Sequence, residues 1–409
     1  MTRVVLVTGK FLSLGLQALL FAMLARRFDD PAFGSWLASF TLAQILGGLA
    51  DFGLTTTAQR LVVDKGRSNV LHAFRLWSTG SIVVGTLAFF IAGAAGMRIT
   101  ALLAAFPVFA FARLQTPRLI VAAAEGLAVR IAVSETLNRA IPVAIVAISP
   151  RDDVMFWLGA SMAVAGLASY ATLAPSAEKR SGPPPDRTAV SGAQMLLRNG
   201  RSFGVLAIAS TVHGRNDQMF LSRYGFESAL PAYNAAYRLF DSIIGLSSAS
   251  LMTFFNDLHA NADKKRWTSR TLMIFATLGI CVATAVWIAA SWTTNVLLGS
   301  SNLDAVFCAR VLGVGAGAGI VNAVVVRLGL SRGLDHSMLY TGVALMVANL
   351  ATNAIVLRSG GVRAAAITTT LFEFLGLVAM SALVLVNRNR PETGGNRVTQ
   401  VGSKVVIAS

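Results

Sequence analysis

LMIFATLGICVATAVWIAASWTTNVL, residues 272–297, contains no Asp, Glu, Lys or Arg. At about 1.5 Å of rise per residue, roughly 20 apolar residues match the hydrocarbon core of a bilayer. This stretch therefore reads as a membrane-crossing helix, and the rest of the chain repeats the pattern. Hydropathy places further spans near 3–26, 33–56, 77–97, 99–121, 127–149 and 154–174, then near 202–222, 230–256, 305–329, 337–357 and 362–386. The expectation is an all-α polytopic membrane protein with about twelve transmembrane helices. Composition agrees, with 55% of the 409 residues hydrophobic, 13% charged and a mean hydropathy of +0.64. A soluble domain of this length has no interior large enough for so much apolar surface.

The net charge of +16 would suggest nucleic-acid binding in a soluble protein. The positions of the basic residues argue for topology instead. With the N-terminus inside, the inner loops and ends carry Arg3, Arg60, Lys65, Arg67, Arg75, Arg113, Arg118, Lys179, Arg180, Arg187, Arg198 and Arg201. They also carry Lys264, Lys265, Arg266, Arg270, Arg327, Arg332, Arg388, Arg390, Arg397 and Lys404. The outer turns hold Arg26, Arg27, Arg98, Arg151, Arg223, Arg358 and Arg363. Twenty-two against seven is the positive-inside pattern with both termini cytoplasmic, and no nucleic-acid partner is expected. The first apolar segment has no convincing cleavage site and reads as a retained span. Cys281 and Cys308 lie in or beside spans, so no disulfide framework is implied.

APSAEKRSGPPPDRTAVSGAQMLLRNG, residues 174–200, is the longest polar stretch, and its triple proline at 183–185 cannot continue a helix. It divides the chain into a six-helix lobe over 1–174, a cytoplasmic linker over 175–201, a second six-helix lobe over 202–387 and a polar cytoplasmic tail over 388–409. Six spans per half leave both halves entering from the same side. The lobes are thus expected to be related by a pseudo-twofold axis along the membrane normal. A faint echo follows the first span of each half, Arg27-Phe28 leading to Phe33-Gly34-Ser35-Trp36 and Arg223-Tyr224 leading to Leu230-Pro231-Ala232-Tyr233.

Several chemistries are absent. Gly9-Lys10 lacks the flanks of a phosphate loop, with Val4 where glycine is needed and Phe11 where Ser or Thr is needed. His72, His213, His259 and His336 are scattered without metal-ligand spacing, and no cofactor or metal is expected. The run GVGAGAG at 313–319 lies within an apolar span and reads as a close-packing or bending element rather than a nucleotide cradle. No loop is long enough for a soluble catalytic domain, so the chain is not expected to be an enzyme.

The charges left inside the spans are the informative residues, because each costs several kcal/mol facing lipid. They are Lys10, Asp51, Arg130, Glu135, Arg139, Arg215, Asp217, Arg238, Asp241, Arg310 and Glu373. Glu135 with Arg139, and Arg238 with Asp241, share helix faces as (i, i+4) and (i, i+3) pairs that can act as structural struts. His213 and Asp217 are four apart, and Arg215 points away from them on a regular helix, although Gly214 can relax that geometry. Lys10, Arg130, Arg215 and Arg310 have no acid one turn away. This surplus of cations suits an anionic cargo, and guanidinium suits phosphate in particular.

ARRFDDPAFGSWLASFTLAQILGGLADFGL (25–54), GRNDQMFLSRYGFESALPAYNAAYRLFDSIIGLSSA (214–249) and NLATNAIVLRSGGVRAAAITTTLFEF (349–374) resemble, in order, three segments of the polysaccharide-export flippases. These form the Wzx-like branch of the multidrug/oligosaccharidyl-lipid/polysaccharide exporter superfamily. Asn216 and Gln218 flank Asp217 where that family has apolar neighbours. The resemblance implies two lobes around a central cavity, alternating access, and an undecaprenyl-diphosphate-linked oligosaccharide moved from the inner to the outer leaflet. The expected home is the bacterial cytoplasmic membrane, with the lipid bilayer and other polysaccharide-assembly membrane proteins as partners.

On this reading Arg215, Arg310, Lys10 and Arg130 form a cationic cavity for the diphosphate. Asp217, His213, Asp51, Glu135, Arg139, Arg238, Asp241 and Glu373 support it or couple it, with Asp217 expected to steady Arg215. The alternatives are a drug/cation antiporter of the same superfamily, for which Asp51 and Glu373 are candidate carboxylates, and a membrane-embedded polysaccharide polymerase or ligase.

Overall fold

The computed structural model of the protein describes residues 2–28, 30–52, 54–55, 57–58, 68–150, 153–174, 204–205, 208–226, 228–253, 265–298, 302–332 and 334–387. The expected linker 175–201, the expected tail 388–409 and most of the inner-loop basic residues lie outside these.

The described residues are helical. In chain order the helices are α1 (Thr2–Arg27), α2 (Asp30–Asp51), α3 (Ser68–Ala94), α4 (Ile99–Ala124), α5 (Ala128–Ile148) and α6 (Val154–Thr172). Then follow α7 (Asn216–Arg223), α8 (Leu230–Thr253), α9 (Lys265–Leu298), α10 (Leu303–Ser331) and α11 (Asp335–Val386). Nine of these are long and apolar enough to cross a membrane, among the described residues. The protein is a multi-pass membrane protein. Large side chains such as Phe90, Ile288 and Val378 stand 70%, 76% and 65% exposed, which lipid accommodates and water would not.

Three of the expected spans carry a local break. Spans eleven and twelve are two helices, the two arms of α11, that follow one another directly across a kink at Gly361 with φ 56° and ψ −147°. That backbone is open to glycine and strained for any other residue. The seventh span is also interrupted. Residues 208–213 are helical, Gly214 and Arg215 form a turn, and α7 begins at Asn216.

The helices pack as two lobes. In the first, α5 lies against α1 and α6, and α4 against α2, α3 and α6; in the second, α10 lies against α8, α9 and α11, and α7 against α11. Their cores differ in character. An aromatic stack of Phe21, Phe33, Trp36 and Phe40 fills the α1–α2 corner. Small residues let α10 approach its neighbours: a Cβ on Gly279 of α9 would stand 2.5 Å from the Gly317 carbonyl oxygen. The 313–319 run is thus a packing surface, as expected from its composition. The lobes meet where α1 and α2 touch α7, α8 and α9. Across this seam Arg26 donates to the Val296 carbonyl at 2.7 Å. Thr41 of α2 donates to the Gln218 side-chain carbonyl of α7.

One residue counted among the inner basic ends needs correcting. Arg113 sits mid-helix in α4, is 6% exposed, and pairs with Asp51 at 3.4 Å. Its burial makes it part of the interior rather than of the topology signal. Both cysteines are free, as expected.

Candidate functional site

The turn at Gly214–Arg215 shapes the charged site. The Arg215 amide bonds the Val212 carbonyl at 3.1 Å, a tighter turn than an α-helix makes, and Tyr237 donates its hydroxyl to the Gly214 carbonyl. The turn carries Arg215 off the regular helical face and toward α8. There its Nη2 donates to Asp241 Oδ2 at 2.8 Å, with the guanidinium 5.2 Å from the Tyr237 ring centre. Arg215 therefore has an acid after all, 26 residues on in sequence.

Arg238 shares the same carboxylate oxygen, its Nη1 standing 3.5 Å away, as the (i, i+3) spacing led us to expect. Its guanidinium also reaches across the seam, 4.2 Å from the Phe21 ring centre on α1 and 5.1 Å from that of Phe40 on α2. The side chains of Arg215, Arg238 and Asp241 are 16%, 4% and 26% exposed. Arg215 Nη1 and Arg238 Nε and Nη2 are buried without a hydrogen-bond partner. Two guanidinium groups thus share one carboxylate at the lobe boundary. The cluster keeps a net positive charge and unspent donors, an arrangement suited to receiving an anion.

Asp217 makes no direct hydrogen bond to Arg215, although its charge acts on that guanidinium. Its carboxylate accepts from the Tyr233 hydroxyl, from Thr369 Oγ1 at 3.2 Å and from the Gln218 backbone amide at 2.7 Å. No cation lies within ion-pair distance of it among the described residues. The flanking polar residues extend this network. Asn216 donates to Asn349 Oδ1 at 2.6 Å and accepts from Asn353 on the first arm of α11, while Gln218 meets Thr41 of the other lobe. Asn216 and Gln218 are therefore tethers between helices.

The remaining candidates are dispersed. Lys10 pairs with Glu135 at 3.7 Å, and the Glu135 charge also acts on Arg139 one turn on. Arg130 donates to the Ala174 carbonyl at 2.9 Å, just past the end of α6, and no hydrogen bond or ion pair joins it to the Arg215 cluster among the described residues. Arg310 lies 5.5 Å from the Trp287 ring centre on α9, and neither hydrogen bond nor ion pair joins it to the Arg215 cluster among the described residues. Asp51 is spent on Arg113 and on the hydroxyl of Thr55. His213 packs edge-on to Phe372 at 6.1 Å, and Glu373 lies between Gly319 and Asn322 of α10.

The sequence reading missed Tyr233, Thr369, Asn349, Asn353 and Arg113. A signal existed for two of them. Asn349 and Asn353 are one turn apart in an apolar span, and both are 1% exposed.

No protein-family model matches the chain, and no curated protein does. Solved structures do. A lipid II flippase, MurJ, in an inward closed conformation has a TM-score of 0.73 at 13% identity, over 93% of this chain and 87% of that one. An inward-facing multidrug resistance MATE family transporter of the MOP superfamily has a TM-score of 0.66 at 13% identity, over 93% and 94%. A mutant of the Vibrio cholerae MATE transporter VcmN has a TM-score of 0.65 at 11% identity, over 94% and 96%. All three are transporters or flippases rather than enzymes. At these identities the likeness concerns architecture, and the architecture is the two-lobed helical fold of the MOP-superfamily transporters.

Proposed function

We propose that this chain is a flippase that carries a lipid-diphosphate-linked oligosaccharide across the bacterial cytoplasmic membrane for surface lipopolysaccharide or exopolysaccharide assembly. Its two six-helix lobes, joined by the 175–201 linker, alternate access to a central site, and both termini are cytoplasmic. The single observation that carries the reading is the Arg215–Asp241–Arg238 cluster, in which one carboxylate serves two buried guanidinium groups at the lobe boundary. A diphosphate brings the negative charge the cluster lacks, in the fork geometry that guanidinium favours. Arg215 is kept from the sequence reading and Arg238 joins it. Lys10 and Arg130 are engaged locally.

The test is the double substitution Arg215→Ala with Arg238→Ala, read by surface polysaccharide and by the amount of inserted protein. Loss of polysaccharide with normal insertion is expected, with partial recovery for Arg→Lys. Normal polysaccharide in the double variant overturns the assignment.

A second reading, a drug/cation antiporter, draws on Asp217, a buried carboxylate held by hydroxyl and amide groups with no cation within ion-pair distance among the described residues. If Asp217 couples transport to protons, Asp217→Asn abolishes dependence on a pH gradient in vesicles and leaves downhill flux intact. If it only holds the network together, flux falls with and without the gradient.

A further inference from the structure

The lobe seam is held in three tiers at the end where α1 stops, α8 starts and α9 stops. Arg238 makes the innermost tier, its guanidinium 4.2 Å from the Phe21 ring centre on α1 and 5.1 Å from that of Phe40 on α2. One turn back along α8, Ala235 packs with Ala22 of α1 and Leu297 of α9. At the rim, Arg26 donates to the Val296 carbonyl in the last turn of α9 at 2.7 Å. The helices come close here because the side chains between them are small. The gap left beside Arg238, between Phe21, Phe33, Pro231 and Leu298, is about 10 Å³. One water needs roughly 10–15 Å³, so no phosphate fits there while the seam is closed.

The hold of Arg238 on the first lobe is closely balanced. Asp241 takes its Nη1 at 3.5 Å, while Nε and Nη2 are buried without a hydrogen-bond partner among the described residues. The Phe21 and Phe40 rings attract the cation, an effect that grows away from water. Against them, Arg215 beside it and Arg139 across the seam are both close enough for their charges to repel it. A charge-assisted, bidentate bond to phosphate is stronger than a contact with a ring. The free edge of the fork, Nε with Nη2, is shut into the seam, so the guanidinium has to leave the rings to offer it.

We infer that Arg238 is a latch between the lobes. With the cluster empty it grips Phe21 and Phe40. An anionic group of the diphosphate class at Arg215–Asp241–Arg238 draws it off the rings and loosens this end of the seam. The anion binds the released arrangement better, because only there is the second edge of Arg238 free, and such a difference in affinity is what shifts an equilibrium. Occupancy of a site in the second lobe is thereby passed to α1 and α2 of the first. The choice of anion rests on the flippase reading, whereas the grip on the rings does not.

The experiment uses the purified full chain in detergent with Cys281→Ser, since Cys281 is exposed and Cys308 is buried. Spin labels are placed on Ile148→Cys and Leu303→Cys, positions 85% and 81% exposed. Ile148 belongs to the first lobe, beside the Ala147 and Ser149 carbonyls to which Arg27 donates at the end of α1, and Leu303 opens α10 of the second. Double electron–electron resonance gives the ratio of long to short distances as sodium pyrophosphate replaces sodium chloride at constant ionic strength. Pyrophosphate should raise the ratio about fivefold or more, and should leave it unmoved in Arg238→Gln. Phe21→Leu should raise the ratio about fivefold without any anion. In an Arg238→Gln background Phe21→Leu should add nothing, a coupling that loss of packing alone would not produce. A ratio that ignores pyrophosphate overturns the latch, and this measurement stands even if a variant does not fold. A full pyrophosphate response in Arg238→Gln, or an equal effect of Phe21→Leu with and without Arg238, overturns it as well. Failure of the flippase reading shows separately, as normal surface polysaccharide in the Arg215→Ala, Arg238→Ala variant, and leaves the effect of Phe21→Leu to decide the latch.

Discussion

Replacing Asp241 by Asn tests the charged cluster at its weakest point. One oxygen of this carboxylate holds Arg215 at 2.8 Å and Arg238 at 3.5 Å, so the contacting nitrogens of the two guanidinium groups are no more than about 6 Å apart. With the carboxylate neutralised, they repel by about 3 kcal/mol at an effective dielectric constant near 20. Removing one partner from a buried ion pair costs about 3–5 kcal/mol in measured cases, a range that already includes such repulsion. The surroundings do not relieve it, since Arg238 is 4% exposed and two of its nitrogens have no other acceptor.

We therefore expect Asp241→Asn to lower stability by about 3–5 kcal/mol, seen as a fall of roughly 3–6 °C in the unfolding midpoint in detergent at low salt. Adding Arg238→Gln removes the surplus cation, and the double variant should recover more than half of the loss. A single variant as stable as the wild type, or a double variant no better than the single, would refute the account of two cations sharing one acid.

Other substitutions probe other parts of the argument. Gly361→Ala places a side chain at φ 56° in the break of α11 and should cost about 1–3 kcal/mol, measured by the same unfolding assay. Gly279→Leu drives a side chain toward the Gly317 carbonyl oxygen, where even a Cβ would stand at 2.5 Å, and should destabilise by about 1–3 kcal/mol or more as α9 and α10 part. Arg130→Ala should leave polysaccharide export intact, because its partner is the Ala174 carbonyl and not the cargo; a loss of export with normal insertion would return Arg130 to the cavity. Cysteine placed at Ser181 should be protected from outside reagents and cysteine at Ser301 should react, and the reverse labelling would reject cytoplasmic termini.

Hydropathy is a local, additive property, and for that reason the spans are legible in the chain alone. The free energy of placing 272–297 in lipid sums over its own side chains and needs no neighbour. The same holds for the small residues of 313–319, which signal close approach whatever helix they meet. The charged residues inside the spans are legible as a set, and the Arg238–Asp241 pair as well, because residues three apart on one helix share a face in any fold.

Which charge meets which across helices was decided by tertiary structure alone. In a membrane the lipid-facing and protein-facing sides of a helix are both apolar, so the pattern of residues does not say how each helix is rotated about its axis. Rotation brought Glu135 to Lys10, and it set Arg113 against Asp51, 62 residues away. The turn at Gly214–Arg215 did the same for Arg215, swinging it from a face without acids onto Asp241. A single helix would have kept Arg215 free; the break, stabilised by the Tyr237 hydroxyl of a neighbouring helix, exists only in the packed lobe.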